Sequence, residues 1–230
     1  MAIIKFGTLV VGVRGTVGGV TYSANGSGPH ARIWGKGSNP RSGYQETVRG
    51  HMTRYGALWA GMSSALRQDW RAFAAAPPED DYNSLGEQYW LNGFNWFCRV
   101  NQRRASVALA TTTTVPASSA ATAPASVTLT FSQLPAGSCV VAWPAATFGA
   151  GTSAFLFLAA HMTVGVAAMD SQFVLVYSVR NPPNTGATIT SLVSARFGNI
   201  RTGWSFFGRL YLVRDDGVRS TPAMGWCEVT

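Results

Sequence analysis

Lysine is nearly missing from this chain. Of its 18 basic residues only Lys5 and Lys36 are lysine, and the rest are arginine. An arginine-dominated cation set favours fixed, forked pairing with carboxylate or phosphate over loosely solvated charge. Charge of either sign is also scarce: charged residues make up 12% of the sequence, about half the share of an ordinary globular protein. Small neutral residues must then cover the surface, which fits a chain embedded in an assembly better than a lone soluble monomer. Acids are rarest at the start. Between Met1 and Arg54, Lys5, Arg14, Arg32, Lys36, Arg41, Arg49 and Arg54 face Glu46 alone, so this quarter carries +6 of the net +8. Such an arm suits nucleic acid, an anionic membrane or an acidic protein surface.

Cysteine and histidine are too few and too scattered for most site chemistry. Cys98, Cys139 and Cys227 make neither a disulfide framework nor a metal-ligand spacing. Their apolar neighbours mark them as small buried hydrophobes, with a Cys139–Cys227 pair left open. His30, His51 and His161 lie in no hydrolase setting and form no HxxxH pair for zinc. We read His51 as a surface or interface residue, His30 as exposed and His161 as a strand-edge residue. Glu79-Asp80-Asp81 lacks the alternate ligands of a calcium loop, and helix capping and solvation explain it. No apolar run reaches the roughly 20 residues of a membrane span. Ile3 and Ile4 lead at once to Lys5 and Gly7, unlike a signal peptide, so assembly in the cytoplasm is expected.

Glycine, by contrast, crowds GVRGTVGGVTYSANGSGP, Gly12 to Pro29. A Walker-type phosphate loop requires GxxxxGK followed by Ser or Thr, and Gly35-Lys36-Gly37 has neither the spacing nor the hydroxyl. A dinucleotide fingerprint must open directly into a helix whose N-terminus holds the pyrophosphate. Here Gly15, Gly18 and Gly19 lead into Val20-Thr21-Tyr22, a strand-like run. The glycines therefore read as turns, bulges and points of close backbone approach, and no cofactor, metal or catalytic residue is expected.

Three segments follow along the chain. To about Ser42 short strands are expected at Thr8–Val13, Val17–Ser23 and His30–Trp34, with Asn25-Gly26 as a turn. They carry too few large residues to form a core unaided. From Gln45 to Ala75 the apolar positions Val48, Met52, Tyr55, Trp59, Met62, Leu66, Trp70 and Phe73 step by four and three, one stripe on one helix. Asn39-Pro40 would start it and Pro77-Pro78 stop it. Glu79-Asp80-Asp81 would then precede a second helix, Leu85 to Gln102, complementing its dipole. Trp90, Phe94, Phe97 and Asn101 would share one face of that helix, making an antiparallel hairpin with the first.

Ala105 to Pro124 is small, uncharged and rich in Thr, Ala and Ser, the composition of a linker or an extended strand. The expected layout is an arm plus helical hairpin at 1–104, a linker at 105–124 and a β domain at 125–230. In the last, strands are expected at Val127–Phe131, Cys139–Trp143, Ala154–Ala160, Phe173–Val179, Ile189–Ala195, Phe206–Arg214 and Ala223–Val229. Seven short strands in about 100 residues follow an immunoglobulin-like pattern. GRLYLVRDDGVRSTPA, Gly208 to Ala223, resembles the F-strand, turn and G-strand of fibronectin type III modules, with Tyr211 at the place of that strand's tyrosine. The resemblance implies an α+β chain ending in a fibronectin type III-like β-sandwich.

The block GVRGTVGGVTYSANGSGPHARIWGKGSNPRSGYQETVRG resembles a recurring N-terminal block of bacteriophage and prophage structural proteins. Gly12, Gly15, Gly18, Gly19, Tyr22, Ser23, Asn39, Pro40, Arg41, Ser42, Gln45, Arg49, Trp59 and Trp70 fit that layout. Relatives often carry arginines after the Tyr-Ser step, where this chain has Ala24 and Ser27. The resemblance implies a non-enzymatic virion protein, with a capsid decoration or cement subunit expected first. Arg14, Tyr22, Arg32, Trp34, Lys36, Arg41 and Arg49 would bind the major capsid protein or another virion subunit. Homo-oligomerisation is expected as well. A tail, neck or fibre-base part, and a basic nucleic-acid-binding protein inside the capsid, are the alternatives. Trp204 and Trp226 read as core or interface, with carbohydrate binding left open.

Overall fold

Four short strands open the computed structural model, which describes residues 2–3, 12–25, 28–33, 41–79, 82, 87–119, 121–144, 148, 150–161, 172–183 and 185–230. They are β1 (Ala2–Ile3), β2 (Gly15–Val17), β3 (Val20–Asn25) and β4 (Gly28–Ile33), an antiparallel sheet in the order β1-β4-β3-β2. One strand was expected over Val17–Ser23; the run instead folds back on itself at Gly18 and Gly19. Both glycines have positive φ, 56° and 80°, the condition for a two-residue loop whose twist matches its strands. Val17 therefore pairs with Val20. The second hairpin brings Asn25 opposite Gly28, around the expected turn; Gly26 lies outside the described residues. Most of the expected strand Thr8–Val13 also lies outside them.

The first helix is two. α1 (Gly43–Gly61) and α2 (Ser64–Ala75) are separated by Met62 and Ser63, both with extended backbone. Gly61 weakens the helix end, and the Ser63 side chain accepts a hydrogen bond from the Leu66 amide at 3.3 Å, capping a new helix. Ser42 caps α1 in the same way, accepting from the Gln45 amide. Ala75 ends α2 just before Pro77-Pro78, as expected. The next helix, α3 (Gly93–Ser106), begins well after the acidic run. Its cap is Asn92, whose Oδ1 accepts from the Asn95 amide at 2.8 Å. Glu79 is buried rather than solvated at a helix end, and Asp80 and Asp81 lie outside the described residues. Trp90, expected on the helix face, precedes the helix and is 58% exposed.

The chain divides into two compact units, Met1–Cys98 and Arg99–Thr230, the division falling within α3. The core of the first unit is aromatic. Phe97 meets Tyr55, Trp59 and Trp70 at ring-centroid distances of 6.0, 5.7 and 5.5 Å, and Trp96 meets Phe73 edge-on at 5.4 Å. Tyr55, Trp70, Trp96 and Phe97 are fully buried. Gly93 lets α3 start against the backbone of Trp70 and Arg71, where a Cβ would sit 3.0 Å away.

Among the described residues of the second unit seven strands follow: β5 (Thr128–Phe131), β6 (Cys139–Ala142), β7 (Thr152–His161), β8 (Val174–Arg180), β9 (Gly186–Thr188), β10 (Ser205–Arg214) and β11 (Ala223–Glu228). They form a three-stranded sheet, β5-β6-β9, and a four-stranded sheet, β11-β10-β7-β8, both antiparallel. The chain is thus a mixed α+β protein. Ile189–Ala195, expected as a strand, is the helix α4 (Thr190–Phe197). Ile189, Val193 and Phe197 recur every four residues, a helical spacing, and Gly198 closes the helix at φ 73°.

The two sheets meet through the inward residues of β10. Phe206 packs on Phe131 of β5 at 4.9 Å, and Gly208 leaves room for Leu129, whose Cδ1 would lie 2.9 Å from an added Cβ. Leu156, Leu158, Phe206 and Leu210 are wholly buried there. On the other side of β10, Tyr211 and Val213 form a smaller cluster with Phe155, covered by Val107. The residues from 107 to 119 form no strand and are tied down. Asn101 exchanges two hydrogen bonds with the Thr112 backbone, and Arg214 reaches Ala117 and Ser119. Arg103 and Arg104 donate to the carbonyls of Gly217 and Asp215 in the Asp-Asp-Gly turn.

Candidate docking surface

Alternation along β3 and β4 gives the N-terminal sheet two unlike faces. Residues directly paired across strands share a face, so Val17, Val20 and Ile33 form one row and Gly15, Tyr22 and Ala31 the next. Ala24 and Pro29 extend the same face. The other face carries Thr16, Thr21 and Arg32 in one row, then Ser23 and His30. Thr16 and Thr21 join their hydroxyls at 3.0 Å. Across β2, β3 and β4 one face is thus apolar and the other polar.

The apolar face is open at both ends of its first row. Val17 is 66% exposed and Ile33 85% exposed, while Val20 and Tyr22 are half-buried. Among the described residues from 12 to 33 no side chain is buried. Three β-branched residues in one cross-strand row are what a sheet uses to pack against something.

The expected site residues divide accordingly. Tyr22 lies on the apolar face and Arg32, exposed, on the polar one, so these two do not converge. Arg14 is exposed just before β2. Arg41 is exposed with φ 47°, immediately before the Ser42 cap, and Arg49 is exposed on α1. Trp34 and Lys36 lie outside the described residues. Val17 and Ile33 were missed. The row appears only in the structure, where the Gly18-Gly19 loop puts Val17 beside Val20 and the register of β4 adds Ile33.

The thiols of Cys98, Cys139 and Cys227 are unpaired, and burial pushes each up to about 11, which keeps them protonated and unreactive near neutral pH. Cys98 and Cys139 are buried, as read from the sequence, and Cys227 half-buried. His30, expected to be exposed, is half-buried on β4, and His161 stands at the end of β7 against the Phe207 ring. Among the described residues, no three His, Cys, Asp or Glu side chains gather to hold a metal ion. Nor is any helix among them long and apolar enough to cross a membrane. No protein-family model, curated protein or solved structure matches this chain.

Proposed function

We propose that this chain is a non-enzymatic structural protein of a bacteriophage particle, a capsid decoration or cement subunit whose N-terminal sheet docks on an acidic face of the shell. The observation that carries this reading is the cross-strand row Val17, Val20 and Ile33, with Val17 and Ile33 exposed, on a sheet in which no side chain described from 12 to 33 is buried. Covering a fully exposed Val or Ile stabilises by about 1.5–3 kcal/mol. An exposed arginine–carboxylate pair contributes about 0–1 kcal/mol. The apolar row therefore supplies most of the affinity. Arg14, Arg32, Arg41 and Arg49, in a region of net +6, set the acidic partner and the encounter rate.

The C-terminal unit fits a fibronectin type III-like sandwich in this reading. Seven antiparallel strands among the described residues, divided three and four, with the chain crossing between sheets, support an immunoglobulin-like architecture. The step from Tyr211 on β10 through the Asp-Asp-Gly turn to β11 supports the fibronectin type III variety. The helix α4 occupies the connection between β9 and β10. Such a module would project from the shell or bridge to a neighbour.

The test is incorporation into particles. A Val17→Ser, Ile33→Ser chain should enter particles at least 10-fold less than the parent, while Arg32→Gln costs less than about 5-fold at physiological salt. Trypsin should cut after Arg14 and Arg32 in the isolated chain and spare both sites in the particle. Equal incorporation of the double variant, with equal cleavage in both settings, would remove the reading. Steeply salt-dependent binding to DNA by the isolated chain would replace it with the nucleic-acid alternative.

A further inference from the structure

We draw no further inference here: the strongest candidate, the exposed Met224 and Trp226 patch on the outward face of the four-stranded sheet, shares that face with both Arg209 and the exposed Glu228, and nothing in the structure shows what covers it.

Discussion

The N-terminal sheet and the four-stranded C-terminal sheet have the same number of strands and the same antiparallel ladders, yet opposite burial. In the first, no described side chain between 12 and 33 is buried. In the second, Leu156, Leu158, Phe206 and Leu210 are sealed against a facing sheet. Backbone hydrogen bonds alone contribute about 1 kcal/mol each in net terms, so they do not separate the two cases; side chains do. β3 and β4 alternate Val, Thr, Tyr, Ser, Pro, His, Ala and Arg, and only one face could pack. β7 and β10 place Leu, Phe and Ala on their inner side and still keep Phe155, Tyr211 and Val213 for the outer. The first ladder has no core of its own among the described residues, whereas the second is sealed on one face against a facing sheet.

The sharpest way to break that comparison is to remove one apolar side chain from each sheet. Phe206→Ala should cost about 3–5 kcal/mol, read as a shift in the denaturant midpoint of the C-terminal transition. Ile33→Ala, at an exposed position, should change stability by no more than about 0.5 kcal/mol. A loss at Ile33 comparable to that at Phe206 would mean that the N-terminal sheet has a core of its own.

Two glycines repeat the contrast in the backbone. Gly186 joins β9 to β6 at φ 141°, and an added Cβ would lie 2.3 Å from the Val141 carbonyl oxygen. Gly186→Ala therefore meets both strain and a clash with backbone, and should cost roughly 2–4 kcal/mol. Gly19, at φ 80°, has nothing within 4 Å of an added Cβ. Gly19→Ala should cost only the left-handed conformation itself, about 1–2 kcal/mol, confined to the first hairpin. Amide exchange resolved by segment distinguishes a local loosening of β2 and β3 from a global one.

What the sequence made legible follows the same division. All seven C-terminal strand positions could be placed except Ile189–Ala195, because turn residues fence each strand; there β9 is only three residues long, and the apolar run after it belongs to a helix. The break between α1 and α2 was hidden because Tyr55, Trp59, Met62 and Leu66 keep a helical step across it, while the Ser63 cap is a local event that periodicity does not register. The start of α3 was misplaced because acids attract a helix start in the reading, whereas Asn92 supplies the cap. At the candidate surface the exposed arginines at 14, 32, 41 and 49 were readable as charge. The apolar row was not, since it exists only once Gly18-Gly19 closes the hairpin and β4 takes its register, which also sends Tyr22 and Arg32 to opposite faces.

The smallest expected effect concerns the Asp-Asp-Gly turn, a feature of the C-terminal unit without counterpart in the N-terminal sheet. Asp215 receives two hydrogen bonds from Arg180, at 3.0 and 2.5 Å, and this pairing holds its carboxyl below the usual carboxylate range. A carboxyl depressed in the folded state stabilises that state above its unfolded pKa of about 3.9, and the contribution is lost as pH falls through that value towards the folded one. The pair is partly exposed to solvent, so the effect is small and shrinks with added salt. Asp215→Asn should therefore lower the stability of the C-terminal transition slightly at pH 7 and leave it unchanged at pH 2, with the difference closing below about pH 4. Since Asp215 also gives its carbonyl to Arg104, which the substitution retains, the turn should keep its place under α3. A difference that persisted undiminished at pH 2 would mean that the side chain acts through packing rather than charge.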